Sequence, residues 1–210
     1  MSSIRLVIIG DTHGFHEMLR IPDGDILIHA GDLTRRESAD EVAEFNEFLG
    51  TLPHSEKIVI AGNHDFYFER EPLAARALMT NCTYLEDEEV TIRGIKFYGS
   101  PWQPRFFNWA FNLDRGPEIA RKWALIPDDT DVLITHGPPA GFGDKISSGK
   151  ATGCEDLAHA VRRIEPRLHI FGHIHEDYGR WSQGVTTYIN ASSCDLNYQP
   201  LNPPQIFEWS

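Results

Sequence analysis

An amide, an imidazole and a carboxylate stand at three consecutive positions, Asn63, His64 and Asp65, directly after the apolar run 58–61 and Gly62. A short unbroken apolar run is typical of a strand that is buried on both faces. Open α/β sheets bind their ligands just beyond the carboxyl ends of such strands. The segment therefore indicates a metal or phosphate site. Gly62 predicts a tight turn that leads into it, and we expect Asp65 to support that turn rather than to bind a ligand.

Four other apolar runs of the chain end in polar side chains of the same kinds. They end in Asp11-Thr12-His13, in Gly31-Asp32, in His136-Gly137 and in Gly172-His173-Ile174-His175. Each fragment alone is a weak signal, because a Gly-Asp pair after a strand is usually only a turn. Together they indicate one site that the ends of five strands share.

The donor types suggest which ligand that site binds. Carboxylate oxygens with imidazole nitrogens suit divalent metals such as manganese, iron and zinc. The three cysteines show no zinc-finger spacing, so a structural thiolate site is not expected. A carboxylate such as Asp32 could bridge two metals, one through each oxygen. Two metals about 4 Å apart could then clamp a small phosphate ester and deprotonate a water between them.

Length and composition limit the classes of protein that fit. A chain of 210 residues suits one domain, 1–210. Its net charge is −12 and no basic patch is visible, which argues against binding of long nucleic acids. The few cysteines, and the lack of a visible signal peptide or membrane-spanning run, predict a cytoplasmic protein that does not bind membranes. Nothing in the sequence indicates an oligomeric state.

The elements that must position these residues can also be predicted. Strands and helices alternate early in the chain and hairpins follow, which favours an α/β fold with mixed sheets. Ser38 and Glu41 form a capping box that opens a helix, and Thr152 and Glu155 predict a second one. Residues 90–98, interrupted by Arg-Gly, predict a hairpin.

The loop 101–112 is dense in aromatic side chains. These rings could belong to the core, but beside polar neighbours they could also form a wall on which a base stacks. Trp102 and Arg105 are the candidates for substrate binding in this loop. His29 and His169 lie inside apolar strands, where a histidine more often has a structural role than a ligand role.

The five fragments, in this order, resemble those of the calcineurin-like metallophosphoesterases over nearly the whole chain. Segments 58–65, 135–139, 172–176 and 188–192 more narrowly resemble the metallophosphoesterase-domain-containing subgroup, which is known for cyclic-nucleotide phosphodiesterase activity. The resemblance implies a four-layer αββα sandwich. Two mixed β-sheets would face each other with helices outside, and the metal site would lie at the carboxyl ends of the strands.

The resemblance also implies roles for individual residues. The first metal would be held by Asp11, His13, Asp32 and His175, and the second by Asp32, Asn63, His136 and His173. Asp32 would bridge them, and Asn63 and His64 would contact the substrate, with His64 assisting the leaving group. The cofactors would be two divalent ions, Mn²⁺ in first place, with Fe, Zn²⁺ or Mg²⁺ as alternatives.

The sequence thus predicts a dinuclear metal-dependent phosphoesterase that hydrolyses phosphodiesters, cyclic nucleotides foremost, through a metal-activated hydroxide. A broad-range phosphomonoesterase, a small-substrate nuclease and a non-catalytic scaffold of the same fold are the alternatives. Protein serine/threonine phosphatases of this superfamily carry a second Asp and an Arg-Gly shortly after the Gly-Asp pair. Segment 31–37 lacks both, which puts protein phosphatase activity in doubt.

Overall fold

The computed structural model of the chain describes residues 3–35 and 38–210. The strands in these ranges are β1 (Ile4–Ile9), β2 (Ile26–Ala30), β3 (Glu56–Ile60), β4 (Thr83–Tyr84), β5 (Glu88–Ile92), β6 (Ile95–Ser100), β7 (Gln103–Pro104), β8 (Asn112–Leu113), β9 (Val132–Thr135), β10 (Leu168–Phe171), β11 (Gly179–Gln183), β12 (Thr186–Asn190) and β13 (Gln205–Trp209). The helices are α1 (Ala39–Thr51), α2 (Phe66–Arg70), α3 (Pro72–Leu78), α4 (Pro117–Trp123) and α5 (Glu155–Ile164), with 3₁₀ turns at His16–Met18 and His175–Asp177. None of the described helices is long and apolar enough to cross a membrane.

The strands form two large mixed sheets. The first has the order β13-β1-β2-β3-β4, and the second has the order β11-β12-β10-β9-β6-β5. Strands inside each sheet run parallel, whereas β13, β11 and β5 pair antiparallel at the edges. The predicted α/β class with mixed sheets is therefore confirmed.

The two sheets pack face to face, and helices cover their outer faces. Successive side chains of a strand point to opposite faces. In β1, Ile8 therefore joins the core between the sheets, where residues of β9 and β10 also lie. Its neighbour Ile9 packs on the other face, in the cluster that includes Phe45 of α1. Leu133 and Phe171 of the second sheet pack with residues of α4 and α5 in a third cluster. This is the predicted αββα sandwich.

Two of the three local predictions are confirmed. The hairpin β5–β6 turns at Arg93 and Gly94, whose φ values of 51° and 82° are those that tight hairpin turns require. The Ser38 side chain accepts from the N–H of Glu41, and the Glu41 carboxylate accepts from the N–H of Ser38. This reciprocal pair caps α1 as a capping box does.

The second capping box is wrong. The residue that caps α5 is Cys154, whose Sγ accepts from the N–H of Leu157 at 3.4 Å. Thr152 bonds instead to the backbone oxygen of Asp144, through its N–H at 2.9 Å and its hydroxyl at 3.1 Å. The loop before the helix folds back on itself, and this tertiary contact takes the threonine away from the helix.

Candidate functional site

The carboxyl ends of five parallel strands meet at one edge of the sandwich. The chain leaves β1 into Asp11 and His13, β2 into Asp32, β3 into Asn63 and His64, β9 into His136, and β10 into His173 and His175. The first three strands belong to one sheet and the last two to the other. The site therefore lies where the two facing sheets end together.

Asp11, His13 and His175 form what we call the first group. The Nε2 atoms of His13 and His175 lie 3.3 Å apart, and Nε2 of His175 lies 3.4 Å from Oδ1 of Asp11. Asp11 is fixed from outside the group, because its carboxylate accepts from the N–H of His173 and from the hydroxyl of Ser192.

Asn63, His136 and His173 form the second group. Oδ1 of Asn63 lies 2.7 Å from Nε2 of His136 and 2.6 Å from Nδ1 of His173. The other ring nitrogen of His136 lies 3.0 Å from the backbone oxygen of Ala30. A backbone group of the other sheet therefore orients this imidazole.

Asp32 lies between the two groups. Its Oδ2 is 3.8 Å from Nε2 of His13 and 3.4 Å from Nε2 of His136. Its Oδ1 accepts from the backbone N–H of His64 at 2.8 Å. One oxygen of Asp32 thus faces both groups, while the other accepts from the backbone of His64.

The two groups fit divalent cations. Atoms of Asp11, His13 and His175, and likewise of Asp11, Asp32 and His136, lie within 4.8 Å of one another. Within the described part of the chain, Nδ1 of His13 is buried without a hydrogen-bond partner, and Oδ1 of Asn63 faces ring nitrogens of both His136 and His173. Burying unpaired polar atoms is unfavourable. Cations that prefer nitrogen and oxygen donors would satisfy the lone pairs that face one another here.

One imidazole in each group has a raised pKa. Burial opposes protonation of His175, but the hydrogen bond to Asp11 and the charge of Asp11 outweigh it and raise the pKa to about 9. Burial likewise opposes protonation of His136, and the charge of Asp32 with a hydrogen bond to it raises that pKa to about 9. Without metal, each group therefore holds a proton at neutral pH that a cation would displace.

The backbone at the site is strained. Four of the predicted ligand residues have a positive φ, which residues other than glycine seldom adopt. The values are 46° at Asp11, 45° at His13, 57° at Asp32 and 69° at His173. Such strain persists only where the surrounding structure enforces it, and it concentrates at functional sites.

Two glycines at the site are required for space rather than for backbone conformation. A Cβ atom on Gly62 would overlap Oδ1 of Asp32, and one on Gly172 would overlap Oδ2 of Asp11. Neither glycine has a positive φ. The predicted tight turn is present, because the N–H of Asp65 donates to the backbone oxygen of Gly62 at 3.1 Å. The glycine itself is required for another reason: the absence of a side chain lets Asp32 approach the end of β3.

Buried polar side chains behind the ligand residues hold their loops. Nε2 of His29 lies 2.9 Å from the hydroxyl of Thr12, and Nε2 of His169 lies 2.9 Å from the hydroxyl of Thr135. Burial lowers the pKa of both imidazoles to about 3, so both are neutral. Each one positions a threonine that is adjacent in sequence to a ligand residue.

Asp65 ties the ends of β2 and β3 together. Its carboxylate accepts from the N–H of Gly62 at 2.7 Å, and from the N–H and hydroxyl of Thr34 at 2.9 and 2.8 Å. Burial and the nearby charge of Asp32 raise its pKa to about 7. Arg36 and Glu37, in the segment that lacks the second Asp of protein phosphatases, lie outside the described residues.

A pocket of about 270 Å³ opens above the two groups. His64 borders it, with its ring centroid 4.8 Å from that of His13 and 5.1 Å from that of Trp109. His64 also has a ring nitrogen within 4.8 Å of ligand atoms of His13 and Asp32. The walls of the pocket are largely apolar, and they comprise Phe106, Trp109, Ile146, Ile174, Leu196 and Tyr198.

The structure does not bring Trp102 and Arg105 to this pocket. The indole N–H of Trp102 donates to Asp87 at 2.9 Å, and the Lys122 ammonium lies 4.2 Å from its ring centroid. Nε of Arg105 donates to Asp114 at 2.6 Å, and this side chain lines a neighbouring groove.

Two other residues of the same loop, Phe106 and Trp109, line the pocket instead. The density of rings in the sequence pointed to the loop but could not tell which rings face the site. Tyr198 was missed altogether, because it follows no strand end.

Comparison with known proteins agrees with this geometry. The family model "Calcineurin-like phosphoesterase" matches residues 4–177. The chain is 48% identical to human metallophosphoesterase domain-containing protein 1 over 229 aligned positions, which cover 97% of this chain and 70% of the human protein. The matched region contains every predicted ligand residue.

Solved structures share the fold at low sequence identity. The protein TT1561 of Thermus thermophilus superposes with a TM-score of 0.61 at 14% identity, covering 99% of both chains. A structure described as a novel archaeal phosphodiesterase superposes with a TM-score of 0.51 at 15% identity, covering 98% of this chain and 99% of the other. At such identities the likeness concerns the fold alone.

Proposed function

This chain belongs to the calcineurin-like phosphoesterase family, and we propose that it is a dinuclear metal-dependent phosphodiesterase for small substrates, cyclic nucleotides foremost. The observation that carries the proposal is the position of Asp32. One of its oxygens lies within 4 Å of an imidazole of each group. Two cations held by the two groups would therefore share this carboxylate and lie close together at the floor of one pocket.

The proposed cation sites follow from the two groups. Asp11, His13 and His175 would hold one cation, Asn63, His136 and His173 the other, and Asp32 would contact both. Divalent cations in such pairs polarise a phosphoryl oxygen and generate a nucleophilic water at neutral pH. The buried imidazoles His29 and His169 keep the ligand loops in place. The donor set suits Mn²⁺, Fe or Zn²⁺.

The charge of the pocket supports a diester over a monoester. Among the described residues that line the pocket, none is a lysine or an arginine. A phosphate monoester carries nearly two negative charges at pH 7, whereas a diester carries one. In the neighbouring groove Arg105 and Arg115 are paired with Asp114 and Glu155. A pocket whose positive charge would come mainly from cations suits the less charged substrate.

His64 is proposed to assist the leaving group. Its backbone is fixed on Asp32, while its ring is only partly buried and borders the pocket. A protonated imidazole there would donate a hydrogen bond to the phosphate or a proton to the departing oxygen. A neutral imidazole could instead serve as a further ligand, because it lies near Asp32 and His13.

A kinetic screen tests the proposal. The chain, reconstituted with Mn²⁺, would be assayed against 3′,5′- and 2′,3′-cyclic nucleotides, bis(4-nitrophenyl) phosphate and 4-nitrophenyl phosphate. We expect diesters to be hydrolysed with a higher kcat/KM than the monoester, and cyclic nucleotides to outperform a long single-stranded DNA. A preference for the monoester would favour a phosphomonoesterase. No turnover on any of them, with two metals bound, would favour a scaffold.

A further inference from the structure

Two aromatic rings border the floor of the pocket from different parts of the chain. The ring centroid of Trp109 lies 5.1 Å from His64 and 6.1 Å from His173 of the second group. That of Tyr198 lies 6.2 Å from His64 and 4.8 Å from His13 of the first group. One ring therefore adjoins each group, and both line the same pocket.

The turn that begins at Asp195 fixes Tyr198 in this position. The Asp195 carboxylate accepts from the N–H groups of Asn197 and Gln199, each at 2.8 Å, and the N–H of Tyr198 donates to the backbone oxygen of Asp195 at 3.0 Å. That same oxygen lies 3.0 Å from Nδ1 of His175. The turn is thereby joined to the first group.

Packing in the core does not explain the backbone conformation and position of Tyr198. It has a φ of 56°, which is unfavourable for a bulky residue, yet its side chain is 40% exposed and belongs to no core cluster of the described residues. It also lies beyond residues 4–177, so it is not part of the pattern that the family model matches. A residue with a strained backbone and an exposed ring that lines a pocket is typical of one that contacts a ligand.

The rest of the pocket suits an apolar and planar group of limited size. Phe106, Ile146 and Leu196 add apolar wall. The acid on the wall, Glu176, accepts from the N–H and hydroxyl of Ser147 and is therefore engaged with the protein. A volume of about 270 Å³ lies near the lower end of known ligand pockets, which suits a single base with its sugar phosphate.

We propose that Trp109 and Tyr198 hold a nucleobase of the substrate next to the phosphoryl group, and that Tyr198 determines the preference for base-bearing ligands. This inference rests on the proposed function, because the phosphoryl group must lie at the two groups for the base to reach the rings. Stacking on an aromatic side chain increases affinity by roughly 5- to 150-fold for each base.

A comparison of two nucleotides with the corresponding sugar phosphate, which lacks the base, tests the inference. Adenosine and guanosine 5′-monophosphate would be titrated calorimetrically into the metal-reconstituted chain beside ribose 5-phosphate. We expect at least one nucleotide to bind more than about tenfold more tightly than the sugar phosphate. Equal affinity for all three, or binding of none, would overturn the inference.

Variants of the two rings show which side chain contributes to nucleotide affinity. Tyr198→Leu should weaken nucleotide binding about tenfold and leave ribose 5-phosphate within about twofold of its original affinity, whereas Tyr198→Phe should retain both. Trp109→Leu should act like Tyr198→Leu. Trp209→Leu is the matched control, because this ring pairs with Ile4 at the opposite end of β1, lies beside Arg167 and does not line the pocket.

The outcomes separate this inference from the proposed function. An equal loss for nucleotide and sugar phosphate in Tyr198→Leu, with metal content verified, would mean that Tyr198 acts on the first group and not on the base. Base-dependent binding without hydrolysis of any cyclic nucleotide would refute the proposed activity and leave the aromatic site in place.

Discussion

The first and second groups use different donors to face the same pocket. The first has a carboxylate of its own, Asp11, whereas the second has the neutral amide of Asn63 in the equivalent place beside two imidazoles. Asp32 contributes its charge to both. A cation in the first group would therefore meet about twice the ligand charge of one in the second.

The two groups are alike in burial, since each has one partly exposed imidazole, His175 in the first and His173 in the second. They differ in support: His175 lies against the backbone oxygen of Asp195, whereas His136 lies against that of Ala30 at the end of β2. The difference in carboxylate charge between the two groups indicates different roles for the two cations. The first group would bind its cation more tightly, while the second would leave more positive charge on its cation for the phosphoryl group.

The largest expected loss of activity comes from replacing Asp32, the carboxylate that faces both groups. Asp32→Ala should weaken both cation sites and lower kcat/KM by roughly 10³-fold or more, because the loss of metal polarisation costs several kcal/mol. Metal analysis and kinetics would measure it. Asp23→Ala is the control, since this exposed acid precedes the same strand at its other end. Loss of one cation only would show that the groups are independent.

Replacing His64 separates catalysis from cation binding. His64→Ala should keep both cations and lower kcat by about 10²- to 10³-fold on a cyclic nucleotide, with a smaller loss on a nitrophenyl diester, whose leaving group needs little protonation. Rates on both substrates, with metal content determined, provide the measurement. Equal losses would leave only a phosphate-binding role. Loss of a cation would make His64 a ligand.

Adding a carboxylate to the second group makes the two groups alike. Asn63→Asp should tighten the second cation site about tenfold and lower kcat by a similar factor, because the added charge neutralises the cation. Asn108→Asp, in an exposed loop position, controls for net charge. A tighter site with unchanged kcat would argue against different roles for the two cations.

The smallest effect concerns protons, and here the groups should behave alike. Because His175 and His136 each have a pKa near 9 in the metal-free protein, each cation should displace about one proton at pH 7. Cation affinity should therefore rise roughly tenfold for each pH unit between 7 and 9 and weaken as the pH falls. Calorimetry in two buffers of different ionisation heat would count the protons. Release by one group only would reveal a further difference between them.

Much of the site could be predicted from the sequence because its residues follow strands. Several apolar runs end in Asp, Asn or His, and parallel strands present their carboxyl ends at one edge of a sheet. These two facts suffice to predict that the polar residues lie together. They bring Asp11, Asp32 and His136 together from positions far apart in the chain. The hairpin and the first capping box were equally predictable, because both depend on contacts within a few residues.

The aromatic wall could not be predicted in the same way. Trp102 and Trp109 belong to the same aromatic loop, yet only Trp109 lines the pocket. The indole of Trp102 turns away because Asp87, which lies at the start of another hairpin, accepts its N–H. The orientation of an aromatic side chain in a loop depends on partners that are distant in sequence. Local sequence patterns therefore do not predict it.

The sequence by itself determined which donor types meet and at which end of the sheets, because strand direction and side-chain alternation are local properties of the chain. The tertiary structure decided the finer chemistry. It directed a single oxygen of Asp32 at both groups by donating an N–H to the other, and it placed Tyr198 beside His13 through a turn that follows the last parallel strand. Several of these contacts depend on the close approach of two separate sheets, and the absence of side chains at Gly62 and Gly172 leaves room for it.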